Sequence, residues 1–166
     1  MSSKFVQRQI YLEWLKSWRE KQLVKVVAGV RRCGKSTLFK LYTDWLQESA
    51  VKPEQIISIN LEELEYEKLL DYRALYDYIK ARLYKGGYTY VFIDEVQSCK
   101  DYEKAVDSLF VKDNVDVYIT GSNAYLLSGE LATLLTGRYV QISMLPLSFV
   151  EYVEFKGIGE KDFTGP

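Results

Sequence analysis

A glycine-rich segment that ends in a lysine and a serine is the part of this sequence best suited to bind phosphate. Residues 29–36 match the phosphate-loop pattern G-x-x-x-x-G-K-[ST] in full. Gly29 and Gly34 let the backbone bend so that successive N–H groups point at one anion. The Lys35 ammonium can reach the β- and γ-phosphates of a nucleotide, and the Ser36 hydroxyl can bind Mg²⁺. The expected phosphate-binding set comprises Gly29, Val30, Arg31, Arg32, Cys33, Gly34, Lys35, Ser36 and Thr37.

Two carboxylates form a second group that suits the same chemistry. Asp94 and Glu95 directly follow an apolar stretch at residues 90–93, which is the Walker B arrangement. In open α/β sheets, ligands bind beside the carboxyl ends of the strands. We expect Asp94 to help hold Mg²⁺ through its water shell and Glu95 to orient or deprotonate an attacking water. Strands often end in surface acids, so the pair favours nucleotide chemistry only because it lies downstream of a phosphate loop.

The overall composition excludes several other kinds of site. The chain has 166 residues, of which 48% are hydrophobic and 27% charged, and this suits one packed globular domain. It has no histidine, which excludes histidine-based catalysis and histidine-ligated zinc. The formal net charge of −1 gives no global attraction to nucleic acid or to an anionic membrane. The local basic cluster lies in or near the phosphate loop and comprises Lys25, Arg31, Arg32 and Lys35.

The spacing of the cysteines and the length of the apolar stretches indicate the cellular location of the protein. Cys33 and Cys99 have neither metal-binding spacing nor the pattern of a disulfide framework. The N-terminus lacks the apolar core of a signal peptide, and no stretch approaches the ~20 apolar residues of a membrane span. We therefore expect a cytoplasmic protein with no membrane partner. Cys33 is expected to fill a variable loop position, and the alternative is a reactive thiol, because a helix N-terminus activates thiols.

The elements that must position these residues alternate along the chain. Apolar, β-branched stretches predict strands, and apolar residues at helical spacing predict the helices between them. The expected strands cover residues 23–28, 56–61, 88–93, 115–120 and 139–144, and the expected helices cover residues 8–21, 37–46, 75–83, 102–110 and 124–136. Strands that are apolar almost throughout and alternate with helices indicate parallel pairing, buried on both faces. The pattern predicts a layered α/β domain.

The order of these motifs resembles that of the AAA+ superfamily of P-loop ATPases. A phosphate loop, an Asp-Glu strand end, a polar Thr-Gly-Ser-Asn turn and a Gly-Arg pair before the fifth strand follow one another in the same order. More narrowly, Gly-Val-Arg-Arg-Cys-Gly-Lys-Ser, Phe-Ile-Asp-Glu-Val-Gln and Pro-Leu-Ser-Phe-Val-Glu resemble a prokaryotic family of ATP-binding proteins, over roughly residues 8–155. Those proteins join an AAA-type ATPase domain to a C-terminal domain. The resemblance implies a three-layer P-loop NTPase fold with helices on both faces of a mostly parallel, five-stranded sheet in the order 5-1-4-3-2.

The resemblance also implies roles for two further residues. In such ATPases a polar residue after the fourth strand contacts the γ-phosphate or the attacking water. Here we expect Asn123 in that role, with Ser122 or Thr120 as substitutes and a plain turn as the alternative. Arg138 occupies the position of the arginine finger, which reaches the γ-phosphate bound by a neighbouring subunit; its alternative is a surface ion pair. A trans-acting finger implies a homo-oligomer of the full-length protein.

The expected function is Mg²⁺-dependent binding and hydrolysis of ATP, with ATP and Mg²⁺ as cofactors and with an unidentified protein partner or task. Residues 1–166 are expected to form one AAA-type domain, an N-terminal fragment of a longer protein without its helical lid and C-terminal domain. One alternative is a nucleotide-gated binding module with slow turnover. Others are a P-loop kinase, against which Glu95 argues, and a nucleic-acid-coupled ATPase, which the charge of this domain disfavours.

Overall fold

The computed structural model describes residues 8–122, 126 and 133–156. The helices of this part are α1 (Gln9–Ser17), α2 (Lys35–Glu48), α3 (Tyr72–Lys80), α4 (Tyr102–Phe110) and α5 (Phe149–Lys156). The strands are β1 (Val24–Gly29), β2 (Ile56–Asn60), β3 (Thr89–Asp94), β4 (Val115–Gly121) and β5 (Tyr139–Met144). Short 3₁₀ helices occupy Pro53–Gln55, Leu64–Leu69 and Val96–Ser98.

Within the described residues, the strands form one parallel sheet in the order β2-β3-β4-β1-β5. This confirms the strand order expected from the sequence. The register pairs Ala28 with Gly121 and Gly29 with Met144, and it pairs Asn60 with Asp94. The ends of the five strands therefore meet at one border of the sheet, which we call the carboxyl edge. The opposite border, where Val24 pairs with Tyr139, is the amino edge.

Helices cover both faces of the sheet because the strands are apolar on both sides. Along β3, Val91 and Ile93 belong to one hydrophobic cluster, and Tyr90 and Phe92 belong to the other. Helices α3 and α4 pack into the first cluster through Leu75, Ile79, Ala105, Val106 and Leu109. The second receives α1 and α2 through Tyr11, Leu12, Leu15, Leu38, Phe39, Tyr42 and Leu46. This alternation confirms the predicted three-layer arrangement.

Aromatic rings fix α2, the helix that follows the phosphate loop, against the sheet. Phe92 of β3 stacks on Tyr118 of β4 with ring centroids 4.7 Å apart. Phe39 and Tyr42 of α2 meet Phe92 edge-on, at 5.1 Å and 6.0 Å between centroids. Such pairs stabilise by about 0.5–1.5 kcal/mol beyond their buried area. They hold the first turn of α2 at a defined position relative to the end of β3.

A buried polar network lies at the amino edge. The Lys25 ammonium pairs with the Asp116 carboxylate, and both side chains are at most 1% exposed. Asp116 also accepts hydrogen bonds from the Tyr118 hydroxyl at 2.6 Å and from the Glu20 N–H at 2.8 Å. Burial raises the pKa of Tyr118 well above its usual value, so this hydroxyl remains a donor. The network joins β1, β4 and the turn after α1.

The predicted element bounds differ from the structure mainly at helix ends. Each strand begins and ends within one residue of its expected bounds. Helix α1 ends at Ser17 rather than residue 21, because Glu20 takes a left-handed φ of 58° and donates its N–H to Asp116. Helix α3 ends at Lys80, before the Gly86–Gly87 pair. The predicted helix 124–136 falls largely outside the described residues. No helix in the described ranges combines the length and apolar composition needed to cross a membrane.

Candidate functional site

The phosphate-loop residues connect β1 to α2 at the carboxyl edge. The backbone is left-handed at Arg32, with φ 62°, and at Gly34, with φ 99°, where Gly34 forms the N-cap of α2. Glycine takes such an angle without steric cost. A Cβ on Gly29 would lie 2.6 Å from Cys33 Sγ and 2.7 Å from the Met144 carbonyl oxygen. The shape of the loop and its close approach to β5 therefore require both glycines.

Lys35 folds back onto its own loop. Its Nζ donates to the carbonyl oxygens of Gly29 at 2.9 Å and Val30 at 3.0 Å, and the residue is 3% exposed. Nζ also lies 3.6 Å from Glu95 Oε1. The structure thus brings together the lysine of the first motif and the glutamate of the second. An ammonium held by neutral carbonyls can exchange them for an anionic phosphate, which forms shorter and stronger hydrogen bonds.

Glu95 is held on both sides. While Oε1 faces Lys35, Oε2 accepts a hydrogen bond of 2.5 Å from Gln97 Nε2. The Gln97 Oε1 atom is buried and has no hydrogen-bond partner in the described part of the chain. Gln97 is a residue that the motif analysis missed. Its position two residues after the Asp-Glu pair is a weak signal, because only the left-handed turn at Glu95, with φ 54°, makes the two side chains meet.

Thr120 orients the Asp-Glu pair from the neighbouring strand. Its hydroxyl donates to Asp94 Oδ1 and accepts the Glu95 N–H at 3.0 Å. Thr120 is fully buried, and Asp94 is 6% exposed. The resemblance to AAA+ ATPases implied a role for Thr120 only as a substitute for Asn123 in sensing the γ-phosphate. In the structure Thr120 fixes the Asp94 side chain and the Glu95 backbone relative to each other. Asn123 itself lies outside the described residues.

A cavity of about 250 Å³ opens beside these groups. It is lined by Arg32, Gly34, Lys35, Ser36, Thr37 and Glu95. This volume is below the ~300–1,000 Å³ of typical small-molecule pockets, so it suits phosphate groups rather than a whole nucleotide. The N-terminus of α2 opens onto it and contributes a positive dipole end. Asp94 lies next to the cavity without lining it.

The oxygen donors near the cavity fit a hard cation such as Mg²⁺. They are the exposed Ser36 hydroxyl and the Asp94 carboxylate. Across the described ranges, no three or more His, Cys, Asp or Glu side chains are grouped to hold a metal. Mg²⁺ prefers such sparse protein ligation and takes its other ligands from substrate phosphates and water. The residues present therefore fit Mg²⁺ that arrives with a nucleotide.

Other predicted site residues lie outside the cavity. Arg31 extends from the loop and pairs with Glu62 at 3.1 Å, on an exposed surface. Cys33 packs into the hydrophobic cluster beneath α2 and is 3% exposed, as its expected filling role requires. Its N–H is donated to the Val30 carbonyl at 3.3 Å, so this amide serves the turn itself.

Arg138 lies at the amino edge, far from the phosphate loop of its own chain. Its carbonyl accepts the N–H of Val24, at the start of β1, whereas the phosphate loop follows the end of β1. The six residues of β1 separate these points by about 17 Å at ~3.3 Å per residue. The guanidinium pairs with Asp107 at 2.7 Å and lies over the Phe110 ring. Arg138 therefore forms a surface ion pair, which was the alternative to the arginine-finger role. From this position it could act as a finger only on the cavity of another copy.

A family model described as an AAA domain matches residues 21–153 of this chain. Among curated proteins, an uncharacterized protein of Haemophilus influenzae is 42% identical over 159 residues, covering 95% of this chain and 40% of that protein. An uncharacterized protein of Methanocaldococcus jannaschii is 33% identical over 143 residues, covering 83% of this chain and 30% of that protein. The chain thus spans less than half the length of these relatives.

Solved structures share the fold at low sequence identity. A DNA polymerase III gamma subunit-related protein from Thermotoga maritima aligns with a TM-score of 0.61 and 11% identity, covering 86% of this chain and 48% of that one. RIF2 from Saccharomyces cerevisiae aligns with a TM-score of 0.61 and 13% identity, covering 97% of this chain and 66% of that one. At these identities the likeness concerns the arrangement of strands and helices alone.

Proposed function

We propose that this chain, which belongs to the AAA domain family, binds ATP at the phosphate loop and hydrolyses its terminal anhydride bond with the help of Mg²⁺. One observation carries the proposal: the Lys35 ammonium and the Glu95 carboxylate lie 3.6 Å apart at the same cavity. One group suits the terminal phosphates, and the other suits the water that would attack them. The N-terminus of α2 supplies a site for the anion between them.

The two side chains suggest how binding would prepare the reaction. In the structure, Lys35 uses its donors on the Gly29 and Val30 carbonyls and faces Glu95. When phosphate oxygens replace these partners, Glu95 Oε1 loses its cation and becomes a free acceptor for a water proton. Glu95 Oε2 stays bound to Gln97 Nε2, which keeps the carboxylate oriented. Phosphate binding would thus release the base at the moment when it is needed.

The remaining roles follow the same assignment. Ser36 and Asp94 would hold Mg²⁺ together with the phosphates and water. Bound Mg²⁺ neutralises the charge that develops on the phosphate oxygens during transfer. Asn123 is our proposed sensor of the γ-phosphate, and Arg138 is proposed to act on a neighbouring copy. The task that hydrolysis drives is proposed to involve a protein partner, within a longer protein of the kind that the two relatives represent.

Hydrolysis and binding by the E95Q variant test the proposal. Removing the base while keeping the side-chain shape should leave ATP affinity nearly unchanged and slow hydrolysis by about 10²–10⁴-fold. The measurements are calorimetric titration with ATP and phosphate release over time. The E48Q variant is a matched control, because Glu48 is exposed at the far end of α2, and it should behave as the parent. Hydrolysis by E95Q at the parental rate, or a parent that binds no ATP, would contradict the proposal.

A nucleotide-gated binding module is the second candidate, and a specific contact favours it. Both oxygens of the Glu95 carboxylate have partners in the structure, Lys35 and Gln97. A base restrained in this way would give slow turnover if nucleotide binding released only part of the restraint. The two functions are distinguished by the ratio of the rate at which bound ATP is hydrolysed to the rate at which it dissociates. An ATPase hydrolyses before ATP leaves, whereas a gated module releases ATP mostly intact.

A further inference from the structure

Arg8, the residue before α1, is a buried cation that the proposed reaction does not use. It is 8% exposed. Its Nε donates to Glu151 Oε1 at 2.8 Å, and its Nη1 donates to the carbonyl oxygens of Cys33, at 3.1 Å, and of Leu145. Its Nη2 donates to the Tyr11 hydroxyl at 3.4 Å. One guanidinium thus joins α1, the phosphate loop and the segment between β5 and α5.

The contact with Cys33 has a direct effect on the loop. The Cys33 carbonyl and the Gly34 N–H belong to one peptide unit, which is planar and trans, so they point in opposite directions. Arg8, which does not line the cavity, binds this carbonyl. The Gly34 N–H must therefore face the other way, and Gly34 lines the cavity at the N-terminus of α2. Fixing this carbonyl keeps an N–H directed at the place where an anion would bind.

Arg8 is itself held by an anchored carboxylate. Glu151 forms a capping box with Ser148: the Ser148 N–H donates to Glu151 Oε2 at 2.7 Å, and the Glu151 N–H donates to Ser148 Oγ at 3.3 Å. Desolvation raises the pKa of Glu151, but the hydrogen bonds from Ser148 and the pairing with Arg8 outweigh it, and the net pKa is lowered. The carboxylate is therefore charged and fixed at the start of α5.

The same segment is tied to α1 a second time. The Tyr11 hydroxyl accepts the Leu145 N–H at 3.1 Å, so both backbone groups of Leu145 bind side chains of this N-terminal region. The preceding residue, Met144, packs its carbonyl against Gly29 and its methyl group near Gly34. The end of β5 thus packs against the phosphate loop, and Arg8 links the segment that follows β5 to the loop backbone.

We propose that Arg8 is a positioning residue that orients the phosphate loop for anion binding, with Glu151 fixing its guanidinium. The inference rests on the proposed nucleotide binding and names a residue outside the phosphate-loop motif on which it depends. The proposal also assigns a role to the Pro-Leu-Ser-Phe-Val-Glu segment. Its serine and glutamate build the cap that carries the anchoring carboxylate.

Lysine cannot replace Arg8 in this role. Arginine presents its donors in a rigid planar fork, whereas the ammonium of lysine is a single point. The carbonyl oxygens of Cys33 and Leu145 share Nη1, and the Glu151 carboxylate binds Nε, so the three acceptors are held by two nitrogens fixed in one plane. The R8K variant keeps the charge and most of the aliphatic stem, so it should fold. It should nevertheless lose the geometry that fixes the Cys33 carbonyl.

The test compares R8K with a matched arginine variant, R19Q. Arg19 is partly buried as well, but it pairs with Glu20 and with Tyr90, near the start of β3 at the amino edge. Dissociation constants for ATP and for inorganic tripolyphosphate are measured by calorimetry, and thermal midpoints by circular dichroism. We expect R8K to weaken both ligands by the same factor, about 10–100-fold, as for the loss of one charge-assisted hydrogen bond. R19Q should lower the thermal midpoint without changing either affinity.

Glu151 supplies an independent check through a double-mutant cycle. E151Q should weaken ATP binding less than R8K does, and it should add nothing in the R8K background, because both changes release the same guanidinium. Parental affinity of R8K for both ligands, or additive losses in the double variant, would overturn the inference while the proposed function stands. A parent that binds neither ligand would remove the proposed function and this inference together.

Discussion

Residues at the carboxyl edge divide into those that shape the loop and those that supply charge. Gly29 and Gly34 are needed for close approach and for a left-handed angle. Lys35 and Glu95 both line the cavity, with their charged atoms 3.6 Å apart. Thr120 belongs to neither group: its hydroxyl fixes the Asp94 side chain and the Glu95 backbone relative to each other. Substitutions in these groups should therefore fail in different ways.

Replacing Lys35 with methionine removes charge but retains the apolar stem. We expect the K35M variant to bind ATP at least ~100-fold more weakly, since the charge-assisted hydrogen bonds to phosphate contribute about 1.5–3 kcal/mol each. Calorimetric titration measures the change. The matched control is K40M, because Lys40 lies further along α2, is 59% exposed and pairs only with Asp44. Equal affinity in K35M and K40M would show that Lys35 does not contact the phosphates.

The residues predicted from sequence are those whose roles depend on local order. Lys35, Asp94 and Glu95 lie in short motifs, so spacing alone places them at strand and helix ends. Gln97 and Arg8 were missed for different reasons. The role of Gln97 depends on a left-handed turn at Glu95. The role of Arg8 depends on Glu151, a partner at the other end of the described chain, and no local pattern encodes such a meeting.

At the scale of elements, burial on both faces made the strands easy to predict, and tertiary contacts made the helix ends hard. A strand with apolar residues on both sides has a continuous apolar sequence, and residues 90–93 of β3, all buried, are the clearest case. The end of α1 depends instead on Asp116, which accepts the Glu20 N–H from a distant strand. The buried face of α1, formed by Tyr11, Leu12 and Leu15, packs into the same cluster as α2.

The buried ion pair between Lys25 of β1 and Asp116 of β4 gives a prediction about the stability of the amino edge. The K25M variant leaves the Asp116 carboxylate buried without its cation, which should cost about 3–5 kcal/mol of unfolding free energy. The double variant K25M/D116N should recover part of this loss, because an amide is cheaper to bury than an unpaired carboxylate. Urea denaturation measures both. K40M again serves as control, since its exposed pair contributes at most about 0.5 kcal/mol. Additive losses in the double variant would mean that the two side chains act separately.

At the scale of the whole molecule, the sheet keeps Arg138 and the phosphate loop on opposite edges. Arg138 directly precedes β5 at the amino edge and pairs with Asp107 of α4, while the cavity lies at the carboxyl edge. Joining them would require a second copy placed with its amino edge against the first copy's cavity.

Arg138 therefore predicts a dependence on protein concentration. In a longer protein that assembles, specific ATPase activity should rise with concentration, and R138A should abolish the rise while leaving ATP affinity nearly unchanged, because a finger acts mainly on the transition state. R138K should rescue poorly, since a point charge does not reproduce the planar fork. D107N, which frees the guanidinium, should retain the rise. Activity that is independent of concentration in a verified oligomer, and unaltered in R138A, would leave Arg138 as a surface ion pair.

The position of β1 between β4 and β5 has a consequence for how the chain folds as it is synthesised. Both neighbours of β1 are late in the sequence: Val26 pairs with Ile119 on one side and with Gln141 on the other. The apolar strand β1 therefore stays unpaired until first β4 and then β5 have been made, at about 5–20 residues per second. Pairings so distant in sequence also fold slowly. The loop that follows β1 is completed only when β5 arrives, so the capacity to bind an anion there marks a finished domain.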